Sequence, residues 1–136
     1  MSTDQGLPTP PQPAPVAAAL APEQERTVAM LSHLVTLLTL LVTSFVPVAP
    51  VISALVFYLA YKDRGPFVRA HTATELNLQI TIVIGVVVGF VLSFVLIGFA
   101  LLLAILVLWI VFGIIATIRA NRGAWYVYPV AIRFVR

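Results

Sequence analysis

The sequence predicts an all-α integral membrane protein: a polytopic bundle of about four transmembrane helices in two hairpins, the second helix short. Three observations carry this. Apolar residues make up 61% of the 136-residue chain and charged ones only 10%, whereas a soluble domain this small exposes much of its surface and needs far more polar cover. The apolar residues gather into four runs separated by proline, glycine and charge. The charged side chains fall at alternate breaks between those runs, as retention of positive charge on the cytoplasmic side requires.

Taken in order, residues 1–21 crowd Pro8, Pro10, Pro11, Pro13 and Pro15 together. Proline lacks the helical N–H and favours extended polyproline geometry, so a disordered cytoplasmic tail is expected. A signal peptide is not, since the stretch has neither a basic start nor an uninterrupted apolar core. The remainder, 22–136, reads as one helical membrane domain. Pro22, with Glu23 and Glu25 in the first turn, opens a helix over about 22–46, because proline suits the first helical position and acids suit the positive end of the dipole. Pro47 and Pro50 break the run, and a second helix follows over about 48–62. The third is expected at 67–97 and the fourth at 98–121, with Gly123 as its stop. A hydrocarbon core takes about 20 helical residues to cross. The third and fourth runs meet this easily and the first nearly does. The second reaches only about 21 Å at ~1.5 Å per residue, so it is a short span, a tilted one or a re-entrant arm.

The charges test the topology independently. Arg26, Lys62, Arg64, Arg69, Arg119, Arg122, Arg133 and Arg136 all lie on one side when four crossings are drawn, as do Asp4, Glu23, Glu25, Asp63 and Glu75. Both opposite turns are uncharged. No basic run of five or more residues exists, which speaks against a nucleic-acid partner. Cysteine is absent, which excludes disulfides and thiol chemistry.

Polar residues within the apolar runs form the candidate sites. Ala29, Ser32, Thr36, Thr39 and Thr43 recur at helical spacing on one face of the first helix, a packing seam where small and hydroxylated residues allow close approach. Gly85, Gly89 and Ser93 form a second small-residue face on the third helix. At its entry, His71, Glu75 and Gln79 share a face four residues apart, with Asn77 on another. Counted inward at ~1.5 Å per residue, Glu75 lies about 9 Å deep and His33 about 10 Å, so His33 is placed to meet Glu75 or Asn77. Ionisable groups at such depth usually face a bundle interior or cavity. His33, His71, Glu75, Asn77 and Gln79 are therefore the candidate polar cluster, either a structural network or a functional cavity; their spacing fits no metallopeptidase and no metal site is assigned. Arg26, Lys62, Arg64, Arg69, Arg119, Arg122, Trp125, Tyr126 and Tyr128 are the expected interface anchors, and 124–136 an interfacial segment. No catalytic triad, phosphate loop or carboxylate pair can be assembled, so neither an enzyme nor a cofactor is expected.

Several ordered motifs resemble a bacterial family described as Tic-twenty-like, after a chloroplast inner-envelope protein-import component. They are Glu25-Arg26-Thr27-Val28-Ala29-Met30-Leu31-Ser32-His33-Leu34, Lys62-Asp63, Pro66-Phe67-Val68, His71, Leu76-Asn77-Leu78-Gln79, Ala116-Thr117-Ile118-Arg119-Ala120, Asn121-Arg122-Gly123, Tyr128-Pro129 and Ile132-Arg133-Phe134. The resemblance spans residues 23–136. It implies a small membrane bundle of four helices or close to it and a link to protein translocation; the one-sided charge sets both termini on the cytoplasmic side of a bacterial plasma (inner) membrane. It also leads one to expect a small residue such as Ala where Glu75 stands. The function expected is a non-enzymatic subunit or scaffold that contacts lipid and other membrane proteins or itself. The alternative is a small channel or transporter with its polar site in the cytoplasmic half.

Overall fold

The computed structural model describes residues 18–43 and 46–136. The proline-rich tail expected over 1–21 lies, up to residue 17, outside the described residues. The rest is all-helical: α1 Pro22–Val42, α2 Val48–Tyr61, α3 Pro66–Leu92 and α4 Ile97–Asn121, with a 3₁₀ turn at Ser93–Val95 between the last two. Three of these helices, α1, the continuous α3 with its 3₁₀ extension, and α4, are long and apolar enough to cross a membrane; α2 is a shorter apolar helix. Val42 and Phe94 are 83% and 82% exposed, which only a lipid surround makes favourable on this scale.

The helix ends follow local chemistry. Pro22 starts α1, and the Gln24 side chain reaches back to accept the Ala21 N–H at 3.0 Å. The α1 end comes at Val42, earlier than the apolar run suggests: Thr43 leaves helical geometry at φ −88°, ψ 17°, and the Val46 N–H closes a turn onto the Thr43 carbonyl at 3.2 Å. The α3 helix stops at Leu92 and tightens into the 3₁₀ turn, after which Leu96 adopts a left-handed conformation at φ 65°. Gly98 then lies buried against the Gly89 carbonyl, and a Cβ there would overlap the backbone of α3. At the other end of α4, Gly123 at φ +71° completes a Schellman motif. Its N–H reaches Ala120 O at 3.0 Å, and the Ala124 N–H reaches Arg119 O at 2.9 Å, satisfying carbonyls the helix leaves open.

The pair α1 and α3 forms the centre of the bundle, and α2 and α4 each pack against both of them. Leu40, Leu78, Ile82, Trp109, Ala116 and Tyr128 form the apolar core. Apart from Glu75, and from Arg133 on the chain that returns beside Asn77 and Thr81, every described charged side chain sits at or beyond the end where α1 and α3 begin and α4 finishes. The opposite end, at the two hairpin turns, carries none. From Ala124 onward the chain is not helical, and it folds back along α3 rather than leaving the bundle.

Candidate functional site

The site forms where α1, α3 and the carboxyl-terminal segment meet. Three of its side chains come from one stretch of α3: His71, Glu75 and Gln79, at a spacing of four, point the same way. His33 approaches from α1, and Tyr128 from the carboxyl-terminal segment. All five are buried, none more than 2% exposed.

The hydrogen bonds run in one chain. Glu75 Oε1 accepts from Gln79 Nε2 at 2.7 Å. Glu75 Oε2 accepts the Tyr128 hydroxyl at 2.6 Å and faces His33 Nδ1 at 2.5 Å. His33 Nε2 and His71 Nδ1 are 2.9 Å apart, and His71 Nε2 lies 3.1 Å from the Ala124 carbonyl. The tautomers follow from the ends inward. A carbonyl only accepts, so His71 carries its proton on Nε2 and accepts on Nδ1. His33 therefore donates from Nε2. One proton is left between His33 Nδ1 and Glu75 Oε2, giving either an imidazolium–carboxylate pair or a neutral pair. The cluster carries no net charge in both cases, which removes most of the cost of placing it at this depth.

Sequence put His71 and Glu75 on one face of α3 and His33 at a depth to meet Glu75 or Asn77; Glu75 turns to His33, which lies across the helix contact. Tyr128, grouped from sequence with the interface anchors, is 1% exposed and joins the cluster through its hydroxyl. Its ring packs edge-on to Phe112 and Tyr126. A non-helical stretch has no periodicity to show which way a side chain points, so Tyr128 looked like its neighbours Trp125 and Tyr126. The buried Gln79 Oε1 has no hydrogen-bond partner among the described residues. No group of three or more His, Asp or Glu side chains is arranged to hold a metal ion among the described residues; the imidazole nitrogens are turned to each other, to Glu75 and to a carbonyl.

Asn77 lies on a different face and holds the returning chain. Its Oδ1 accepts the N–H groups of Phe134 and Val135, each at 2.8 Å, and its Nδ2 donates to the Val135 carbonyl at 2.9 Å. One turn deeper, Thr81 Oγ1 accepts the Ile132 N–H at 2.9 Å. Nearer the charged end, Arg69 Nε donates to the Arg136 carbonyl at 3.1 Å. The segment thus meets α3 at His71, passes to Thr81 and returns to Arg69, over roughly 15 Å of helix axis. Unpaired backbone groups are costly away from water, and Asn77 and Thr81 pair those of Ile132, Phe134 and Val135.

The seam residues are internal. Ser32 and Thr36 are fully buried, yet the hydroxyls bond within α1: Ser32 to Ala29 O, Thr36 to Ser32 O and Thr39 to Val35 O. Gly85 and Gly89 face Ile105 and Leu102 of α4, and the Ser93 hydroxyl donates to Phe90 O at 2.6 Å. At the charged end, Arg26 donates to the Asn121 carbonyl at 2.6 Å, tying the start of α1 to the end of α4. Lys62, Arg64, Arg119, Arg122, Trp125 and Tyr126 lie at that same end. Sequence read Glu25 as a first-turn acid of α1, but its carboxylate also caps α3, accepting the N–H groups of Phe67 at 2.8 Å and Val68 at 3.0 Å.

Comparison with curated proteins and with solved structures finds no match. Residues 24–135 match the sequence model of the MamF/MmsF family, described as the magnetosome magnetite crystal formation protein family. This overturns the Tic-twenty-like resemblance, and the link to protein translocation goes with it. The motifs that carried that resemblance include Glu25 and Gly123 at helix ends and His33, His71 and Gln79 of the buried cluster.

Proposed function

We propose that this chain, which belongs to the magnetosome magnetite crystal formation protein family, is a non-enzymatic scaffold subunit of the membrane in which the crystal forms. The family points to the magnetosome membrane, an invagination of the bacterial inner membrane. In that setting the charged end is cytoplasmic, by the retention of positive charge inside. The carboxyl-terminal segment is a re-entrant loop held by Asn77 and Thr81. The scaffold works through contacts with lipid and with other membrane proteins or further copies of itself.

One observation carries this reading: the ionisable groups at depth close on one another. His33 and His71 use both ring nitrogens and Glu75 uses both oxygens, so the cluster ties three parts of the chain together and leaves no charged lining. The buried, unpartnered Gln79 Oε1 favours a second reading, a small channel or transporter that takes up a cation or proton beside Glu75.

Flux decides between them. Proteoliposomes containing the full chain should pass ferrous ions and protons no faster than protein-free vesicles, and crosslinking in native membranes should trap neighbouring membrane proteins. Flux above the lipid background that disappears in Glu75→Ala would establish the transporter reading instead.

A further inference from the structure

We propose that the α2–α3 turn and the carboxyl-terminal loop form a binding site for one anionic phospholipid. Lys62, Arg69, Trp125 and Arg136 line an open recess of about 690 Å³ at the charged end, beside Asp63 and the start of α3. Three cationic side chains thus face a single acidic one, with Arg69 Nε already donating to the Arg136 main-chain oxygen at 3.1 Å. Among the described residues no Asp or Glu side chain forms an ion pair with Lys62, Arg69 or Arg136. The Trp125 indole is 62% exposed and is anchored edge-on against Phe67, with ring centroids 5.2 Å apart. That is the side chain expected at headgroup level.

The recess continues inward. A second cavity of about 300 Å³ shares Ala70 and Arg136 with the first and follows α3 through Ala73 and Thr74 to Asn77, about 10 Å at the helical rise. Its other wall is the carboxyl-terminal loop, with Val127, Ala131, Arg133 and Val135. Cationic at the mouth, and within lined by Ala73, Val127, Ala131 and Val135 with Arg133 as a further cation, the two cavities match an amphiphile whose phosphate meets Lys62, Arg69 and Arg136 and whose first acyl carbons enter the cleft. Basic pockets between helices on the cytoplasmic side are a known setting for anionic headgroups. The charge at the mouth selects phosphatidylglycerol-type lipids over zwitterionic ones, and the apolar cleft selects a lipid over free phosphate.

Native mass spectrometry of the full chain in mild detergent tests this, with dioleoyl-phosphatidylglycerol, dioleoyl-phosphatidylcholine and inorganic phosphate as probes. Retention of phosphatidylglycerol should exceed that of phosphatidylcholine by about tenfold. It should fall to the phosphatidylcholine level in Lys62→Gln/Arg69→Gln and stay unchanged in Arg122→Gln, a cation at the same end that does not line the recess. Because Arg69 also holds the Arg136 carbonyl, Lys62→Glu provides a second variant that leaves that bond in place, and it should show the same loss. Equal retention of the two lipids, parental retention in both Lys62 variants, an equal loss in Arg122→Gln, or displacement of the lipid by inorganic phosphate would each overturn the proposal.

Discussion

Glu75 and His33 share one proton, and the rest of the cluster is arranged around it. Truncating Glu75 to Ala strands His33, Tyr128 and Gln79 in a buried setting, so unfolding in detergent should show a loss of at least about 2 kcal/mol. Glu75→Gln should cost less than half of that. Its amide can donate to His33 Nδ1 and still accept from Gln79, which reproduces the neutral form of the pair. Equal losses in the two variants would show that the ion pair, and not the neutral pair, holds the cluster. Depth counting alone brought His33 to the level of Glu75, because both lie on regular helices with a fixed rise. It left the choice between Glu75 and Asn77 open, since that depends on the rotation of α3. Once the structure sets the rotation, Asn77 faces the returning chain and serves backbone groups that no side-chain pattern announces.

The α3–α4 hairpin depends on two glycines in different ways. A Cβ at Gly98 would overlap the Gly89 carbonyl and the Ser93 backbone, whereas a Cβ at Gly89 would meet only the side-chain end of Leu102. Gly98→Ala should therefore lower stability by about 1–3 kcal/mol, and Gly89→Ala by clearly less, as Leu102 changes rotamer. Thermal unfolding of the two variants in one detergent checks the order; the reverse order would mean that α4 does not approach α3 as described. Gly89 stood out in the sequence as part of a small-residue face, whereas Gly98 was only the first residue of the expected fourth helix and nothing in the sequence announced their contact. Helix existence was legible throughout from runs of apolar residues. Exact ends were less so: the apolar run continues to Val46 past the true end of α1, where the backbone turns at Thr43, ahead of Pro47.

For the molecule as a whole, sidedness was the most legible property, because it rests on where eight basic residues fall and not on any fold detail. The chain has no cysteine, so single introduced thiols report topology without background. In membrane vesicles of known orientation, Arg122→Cys should react with an impermeant maleimide only from the cytoplasmic side, and Val46→Cys only from the opposite side. Failure of Val46→Cys to react from either side would make α1–α2 a re-entrant hairpin. The 14 residues of α2 span only about 21 Å, against roughly 30 Å of hydrocarbon, and the helix is flanked by α1 and α3.

The bare end of the bundle has a consequence for mineral chemistry. On the proposed topology, the turns 43–47 and 93–98 are what the growing crystal meets, and their sequences offer hydroxyl, aliphatic and aromatic side chains with no carboxylate or imidazole. Carboxylate, imidazole and thiolate side chains are the ligands that gather metal ions most strongly, and this surface offers in their place only hydroxyl and main-chain carbonyl oxygens. An effect of this chain on magnetite would then arise on the far side of the bilayer, through the proteins and lipids it positions there.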